Sequence, residues 1–183
     1  MSDQKKRTRV PIEQRREQVL EAALTEFSHK GLHGGSTMAI AAQVGISQPN
    51  IFRIYPTKHQ LFVAALERVF SRVEATMLAA GERDIQQPLA TMSEARGTLM
   101  EDRENMLMLL QGYSASEDPA IQELMRNWSQ RIFERMETLP GVGEDRAHDF
   151  FAAGMFYMVA AAMDLPARSE SDEWAKRFLD TGS

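Results

Sequence analysis

The chain has 183 residues, of which 43% are hydrophobic and 26% are charged. These proportions are those of one or two globular domains and exclude a wholly disordered chain. The absence of cysteine excludes disulfide frameworks and thiolate metal sites, and it indicates a reducing compartment such as the cytoplasm. The longest apolar run, residues 150–163, is shorter than the roughly 18 to 20 residues of a membrane helix. We therefore expect no membrane span, and the charged N-terminus does not have the pattern of a secretory signal.

Charge divides the chain into a basic head and an acidic body. Residues 1–60 contain nine Lys and Arg against five Asp and Glu, whereas residues 61–183 contain twelve against twenty-one. A basic segment of this kind indicates contact with a polyanion, although a solvated basic tail has the same charge. Four of the basic residues fall within residues 1–11, which we predict to be a flexible basic arm: Lys5, Lys6, Arg7 and Arg9.

Helical spacing of apolar residues, without any strand-like alternation, runs through the whole chain. Capping residues and breakers set the first boundaries: Ser36 or Thr37 can begin a helix that Gly45 ends, and Ser47 can begin one that Pro56 ends. In the first third the pattern predicts helices at 12–31, 38–44, 48–55 and 58–81. Beyond residue 81 it predicts helices at about 88–102, 104–115, 119–139, 144–163 and 170–180.

The second and third helices have the pattern of a helix-turn-helix. Small Ala41 lets the two helices approach closely, and Gly45 permits the tight turn between them. The second helix of this motif lies in the DNA major groove with its N-terminal residues at the base edges. An αα-hairpin of an ordinary bundle is the alternative, and the basic head favours DNA. The apolar positions that we expect to face inward are Ile40, Val44, Ile46, Ile51 and Ile54.

Residues on the outer face of the third helix are the candidates for base contact. Arg is suited to guanine, and Gln or Asn to adenine; Arg53 can equally contact phosphate. Thr37 and Lys58 stand at helix N-termini, where donors can meet phosphate oxygens. The predicted DNA-binding residues are Lys5, Lys6, Arg7, Arg9, Ser36, Thr37, Gln48, Pro49, Asn50, Phe52, Arg53, Tyr55 and Lys58.

The stretch VLEAALTEFSHKGLHGGSTMAIAAQVGISQPNIFRIYPTKHQLF resembles the N-terminal region of TetR-family transcriptional regulators. The resemblance is detailed over about residues 12–62; beyond them it rests on length, helix count and the run SEDPAIQELM. It implies nine or ten helices, a dimer built on the last two long helices, and a ligand pocket in the C-terminal domain whose occupation relieves repression. Phe52 and Ile54 depart from the family pattern, which usually has tyrosine and then tyrosine or histidine, and Tyr55 replaces the usual phenylalanine.

We therefore predict an all-α fold of about nine helices. Residues 12–56 form a three-helix helix-turn-helix DNA-binding domain, and residues 57–183 form a C-terminal helical bundle for ligand binding and dimerisation. The predicted function is that of a cytoplasmic, ligand-responsive regulator. It is a repressor that a small molecule releases from a near-palindromic operator.

The helices of the second part are rich in methionine, a flexible side chain that suits either an adaptable apolar pocket or ordinary core filling. Arg96 lies on the apolar face of its helix and requires a partner, which is either the anionic or polar end of a ligand or a carboxylate of a neighbouring helix. The expected inducer is therefore apolar with a polar or anionic end. The predicted ligand-binding residues are Met77, Met92, Arg96, Met100, Tyr113, Met125, Trp128, Phe151 and Met155.

The predicted helix 144–163 is apolar on all sides and needs a second covering surface, which a second copy of the chain can supply. Gly154, Ala153, Ala160 and Ala161 allow close approach there. We expect a homodimer through this helix together with 119–139 or 170–180.

The sequence does not favour a metal site, a cofactor or an enzyme. The histidines His29, His33, His59 and His148 lack metal-ligand spacing, and there is no nucleophile elbow, phosphate loop or paired-carboxylate cluster. A helical interaction module without DNA affinity and a small helical hydrolase or lyase are the competing function classes. Binding to duplex DNA distinguishes the regulator from both.

Overall fold

The computed structural model describes residues 11–180, apart from the side chain of Met100. This part of the chain contains ten helices and no strand, which confirms the predicted all-α class. The first four helices are α1 (Ile12–Gly34), α2 (Thr37–Val44), α3 (Gln48–Phe52) and α4 (Lys58–Arg83). They are followed by α5 (Pro88–Glu101), α6 (Arg103–Ser114), α7 (Pro119–Glu137), α8 (Gly143–Ala162), α9 (Leu165–Arg168) and α10 (Glu173–Leu179).

Three predicted boundaries are corrected. The first helix continues past Gly31, which takes the left-handed φ of 66° and kinks the helix instead of ending it. The third helix ends at Phe52, and turns lead from there to Pro56. The predicted helix 170–180 is the shorter α10, which Asp172 caps by accepting from two backbone amides, and the short α9 before it, which follows the left-handed Asp164, was not predicted.

One hydrophobic core joins the head to the body. Phe27 of α1 and Phe62 of α4 are buried edge to face with ring centroids 5.2 Å apart, and Phe70 of α4 stacks on Trp128 of α7 at 4.5 Å. The same cluster continues to Met158 and Ala161 of α8. Aromatic pairs of this kind add to the stabilisation from buried area. The hydrophobic packing does not break at residue 57, and the division into a DNA-binding and a ligand-binding domain there stays a prediction.

Helix α1 holds the helix-turn-helix against the bundle by packing on α2, α4 and α6. At its kink, a Cβ on Gly31 would lie 2.6 Å from Oε1 of Gln111 on α6, so that the Gln111 amide would have to shift if any other residue stood there. The Nε2 of Gln111 donates to the backbone carbonyl of Ser28 at 3.3 Å. The end of α1 is thus fixed to the middle of the bundle.

Candidate DNA interface and ligand cavity

The entry to α2 is fixed by a carboxylate of α1. Glu26 accepts from the backbone N–H of Ser36 at 2.9 Å and from Nζ of Lys30 at 3.0 Å. Burial raises the pKa of Glu26, but the hydrogen bonds from Lys30 and Ser36 outweigh it, so that the net pKa lies below its ordinary value. The side chain of Ser36 in turn accepts from the N–H of Ala39 as the N-cap of α2. A charged Glu26 therefore stabilises the start of α2.

The turn between α2 and α3 follows the predicted motif. Gly45 has the left-handed φ of 71°, and its N–H bonds the carbonyls at the end of α2. Ile40 and Ile51 are fully buried beneath the two helices. This arrangement leaves Pro49, Asn50 and Arg53 exposed.

The exposed face of α3 agrees with the predicted placement of Pro49, Asn50, Phe52 and Arg53, and their contact with DNA remains a prediction. Gln48 is half-buried, and its Nε2 donates to Oγ1 of Thr37 at 2.7 Å. The prediction that the Thr37 side chain contacts phosphate is corrected, because that side chain is buried, with the residue 6% exposed, and its hydroxyl fixes Gln48.

The predicted DNA contact of Tyr55 is wrong. The residue is 4% exposed within the core, and its hydroxyl oxygen is buried without a hydrogen-bond partner among the described residues. Burial raises the pKa of this phenol. The guanidinium of Arg16 lies over its ring, 4.6 Å from the centroid. Tyr55 is thus a packing residue that takes the place of phenylalanine.

The remaining predicted DNA contacts are those of Lys58, Ser36 and the basic arm. The Nζ of Lys58 donates to the backbone carbonyls of His33 at 3.1 Å and Gly35 at 3.3 Å, so that it joins the start of α4 to the end of α1. A phosphate contact by Lys58 stays a prediction, as does one by Ser36. The arm residues Lys5, Lys6, Arg7 and Arg9 lie outside the described residues.

A cavity lies between the helices of the body. It has about 680 Å³ of space free of protein atoms, including its opening to solvent. Its lining comes from α4, α5, α6, α7 and α8 and is almost wholly apolar. Six predicted residues line it: Met77, Arg96, Tyr113, Trp128, Phe151 and Met155.

Two predicted methionines do not line the cavity. Met92 is fully buried, and a Cβ on Gly81 would lie 3.0 Å from its sulfur, so that Met92 fills the contact between α4 and α5. The sulfur of Met125 would lie 2.7 Å from a Cβ on Gly112 and fills the contact between α6 and α7 in the same way. The side chain of Met100 lies outside the part of the chain that the structure describes.

Sequence reasoning missed several lining residues, among them Phe150 and Tyr157 of α8. Both rings contact Arg96, whose Cζ lies 4.7 Å from the Phe150 centroid and 4.5 Å from the Tyr157 centroid. The all-round apolar character of α8 was the available signal, but it was assigned to a dimer contact. The other missed residues include Val73, Leu99, Met106 and Leu109.

The polar groups of the cavity are few. Burial raises the pKa of Tyr113, and a side-chain hydrogen bond with Ser129 offsets part of this increase. Burial also lowers the pKa of the Arg96 guanidinium. The Nε1 of Trp128 is buried and has no hydrogen-bond partner within residues 11–180. These groups leave the cavity with a cation and an unused donor in an apolar lining.

Neither a metal cluster nor a membrane helix is found in the described part of the chain. No group of three or more His, Asp or Glu side chains there could hold a metal ion. No helix within residues 11–180 is long and apolar enough to cross a bilayer.

Comparison with known proteins finds a family model that matches the region of the helix-turn-helix. Residues 19–65 match the family model described as "Bacterial regulatory proteins, tetR family". Residues 19–65 are therefore similar to the N-terminal DNA-binding region of TetR-family regulators. The match begins within α1 and ends within α4, so it contains the whole of α2, α3 and their turn.

Curated relatives of this TetR-family domain are DNA-associated proteins by name. The chain is 33% identical over 89 residues to the HTH-type transcriptional regulator RutR of Escherichia coli strain K12, which covers 49% of this chain and 41% of the relative. It is 35% identical over 60 residues to the HTH-type transcriptional activator FasR of Mycolicibacterium smegmatis, covering 33% and 27%. The matches thus span less than half of these relatives' length. Both relatives are named as HTH-type transcriptional proteins.

Solved structures share the fold over nearly the full length. A TetR-like transcriptional regulator from Rhodococcus sp. RHA1 superposes with a TM-score of 0.71 at 24% identity, covering 94% of this chain and 95% of that one. A transcriptional regulator from Pseudomonas aeruginosa PAO1 gives 0.68 at 20% identity, covering 97% and 95%. The TetR-family fold therefore extends over the bundle as well as the head.

Proposed function

We propose that the chain is a homodimeric, ligand-responsive repressor. It binds a near-palindromic operator, acts in the cytoplasm and leaves the DNA when a small molecule occupies the cavity of the body. The observation that supports this most strongly is the exposed face of α3 over the fully buried Ile51, within a helix-turn-helix of the tetR family. The apolar cavity in the same chain supports the ligand response.

Within this proposal, residues of α3 read bases. Asn50 and Arg53 are exposed on its outer face, and Gln48 is held at its first turn by Thr37. The basic excess of residues 1–60 comes largely from the arm, so the arm supplies general attraction to phosphate, and its affinity falls with salt. Ser36, Pro49, Phe52 and Lys58 complete the proposed interface, and Thr37 and Tyr55 act behind it.

The exposed apolar side chains of α8 and α10 support a dimer. Val159 on α8 is 44% exposed and Trp174 on α10 is 49% exposed. Trp174 stacks on Phe178 of the same helix, and Phe178 contacts Phe156 of α8 at 5.0 Å. A joined apolar surface of this kind marks an interaction site, and a two-fold dimer uses one such surface from each copy.

The predicted role of small residues in that dimer is corrected for three of the four, and that of Ala153 stays a prediction. Ala160 and Ala161 are buried within the chain, where Ala160 packs with Leu165 and Ala175. Gly154 lines the cavity. The proposed dimer surface, made of Phe156, Val159, Met163, Trp174 and Phe178, favours α8 with α10 over α8 with α7, whose large apolar residues are mostly buried.

Two helices join the cavity to the head. Val73 and Met77 of α4 line the cavity, and the same helix begins at Lys58 beside the end of α1. Met106, Leu109 and Tyr113 of α6 also line it, and Gln111 of that helix holds the carbonyl of Ser28 on α1. A ligand that binds better to a displaced arrangement of these helices shifts the dimer toward it. Recognition helices about 34 Å apart then lose their register with successive major grooves.

Selection of duplexes from a random DNA pool by the purified full chain tests this function. We expect enrichment of a near-palindromic sequence and binding that weakens steeply as salt rises. A flat salt response with no enriched sequence would instead support the alternative of a helical interaction module without DNA affinity.

A further inference from the structure

The cavity contains a cation without an anionic partner. In the part of the chain that the structure describes, no carboxylate pairs with the Arg96 guanidinium, whose Nη2 donates only to Oγ of Ser93 at 3.4 Å. By contrast, Arg68 and Arg131 each pair with a glutamate of another helix. The structural carboxylate that Arg96 was expected to meet on a neighbouring helix is therefore absent among the described residues.

Two aromatic rings attract the positive charge of Arg96, but they leave part of its hydrogen-bonding capacity unused. Phe150 and Tyr157 present their rings to the guanidinium at 4.7 and 4.5 Å, which is within the range of cation–π attraction. Its Nη1 atom is nevertheless buried and has no hydrogen-bond partner within residues 11–180. The residue as a whole is half-buried, and a buried donor without a partner is costly.

The unused polar atoms of the lining are all donors. They are Nη1 of Arg96 and Nε1 of Trp128, neither of which can accept a hydrogen bond. No Asp or Glu lines the cavity as described, so nothing there would hold a cationic ligand. A ligand that matches these donors has a negatively charged acceptor group at one end of an apolar body.

We propose that the cavity binds amphipathic monocarboxylates, with the carboxylate on Arg96 and the apolar part among the methionines and aromatic rings. This inference rests on the proposed ligand-binding function of the cavity. A carboxylate matches the planar fork of the guanidinium with two parallel hydrogen bonds. One negative charge neutralises the single cation, whereas a dianionic phosphate leaves an excess charge in an apolar lining. Met77, Met106 and Met155 are flexible enough to accept tails of different shape.

Matched pairs of probes test the charge requirement. Octanoate is compared with octanamide, and 3-phenylpropanoate with 3-phenylpropanamide, because each pair differs in charge but hardly in shape. The full-length Trp174→Phe variant leaves Trp128 as the one tryptophan, so that its fluorescence reports binding in the cavity. We expect at least one carboxylate to bind about ten times to a hundred times more tightly than its amide.

Variants assign the preference to Arg96. In Arg96→Met the advantage of the carboxylate should fall to within about twofold, whereas Arg126→Met, at an exposed arginine of α7 outside the cavity lining, should keep it. Thermal melting checks that Arg96→Met is folded; because Arg96 has no carboxylate partner to strand, its melting temperature should be equal to or above that of the parent. Arg96→Lys should retain part of the preference, since it keeps the charge but loses the fork.

Several outcomes overturn the inference. They are equal binding of amide and carboxylate, failure of both carboxylates to bind, or a preference that survives in Arg96→Met. Operator binding is measured without probe on the parent chain, which keeps both tryptophans. Normal DNA binding with no carboxylate preference contradicts the ligand class alone, whereas loss of DNA binding contradicts the proposed function.

Discussion

The side-chain amide of Gln111 donates to the backbone carbonyl of Ser28 across 3.3 Å, one turn before the kink of α1 at Gly31. This bond joins a helix that lines the ligand cavity to the helix that carries the DNA-binding head. The absence of a Cβ at Gly31 permits the contact, because its position would lie 2.6 Å from the Gln111 oxygen. We therefore expect a displacement of α6 to be transmitted to the end of α1.

Replacing Gln111 by Met keeps the length of the side chain and removes the bond. We expect the free energy of unfolding to fall by about 0.5–1.5 kcal/mol and hydrogen exchange to rise at the backbone amides of residues 28–35. The control is Gln130→Met, since Gln130 reaches only Glu134 on its own exposed helix face. Unchanged exchange at 28–35 in Gln111→Met would contradict the proposed connection.

Tyr55→Phe distinguishes packing from DNA contact. The hydroxyl is buried without a partner among the residues described, so its removal should leave the free energy of unfolding unchanged or raise it. Affinity for operator DNA should also be unchanged when measured by fluorescence anisotropy. A clear loss of affinity in a folded Tyr55→Phe protein would restore the phosphate contact that the sequence suggested.

The head was predictable because its signals are local. Ser36, Gly45 and Pro56 mark helix ends through their own backbone preferences, and the buried positions of α2 and α3 follow from apolar spacing. The reach of α1 past Gly31 was not predictable, since it depends on Gln111, which is distant in sequence. A glycine can end a helix or kink it, and only the residue packed against it decides which of the two occurs.

The cavity was predictable only in part because similar residues have different neighbours. Met77 lines the cavity while Met92 fills a helix contact, and the difference comes from Gly81 opposite Met92. The position of Arg96 on an apolar face correctly suggested a pocket. Its contacts with Phe150 and Tyr157 were not visible, because they depend on how α5 crosses α8.

Stability should depend on pH through Glu26. The net pKa of this carboxyl is lowered in the folded chain, so its charged form stabilises the fold above the unfolded pKa, and that stability is lost as pH falls through the folded pKa. Glu26→Gln should therefore unfold at lower urea concentration than the parent at pH 7. The two midpoints should converge below pH 4.5, the ordinary value of the group.

The matched control for that series is Glu123→Gln. Glu123 is exposed and pairs only with Arg126 on its own helix, and exposed pairs of this kind contribute little. Its urea midpoint should follow the parent at every pH. A Glu26→Gln midpoint that stays separated from the parent at acid pH would show that the loss comes from packing and not from charge.

The dimer surface is tested by a single charge. Sedimentation of the parent at micromolar concentration should give about twice the 20.7 kDa of one chain. Val159→Glu places a carboxylate in the apolar surface of α8 and should shift the distribution to monomer. Asn127→Glu, on the exposed face of α7, should remain dimeric. A monomeric parent contradicts the dimer, and a monomeric Asn127→Glu with a dimeric Val159→Glu places the interface on α7.

The central claim is that α3 reads DNA sequence. The most direct test measures the affinity of Arg53→Ala for the selected operator and for a scrambled duplex across a range of salt concentrations. We expect Arg53→Ala to lose about 1–3 kcal/mol per half-site on the operator and much less on the scrambled duplex. Arg126→Ala, which removes an equal charge from α7, should match the parent on both. Failure of the parent to prefer the operator, or equal losses by Arg53→Ala on the two duplexes, would contradict the claim.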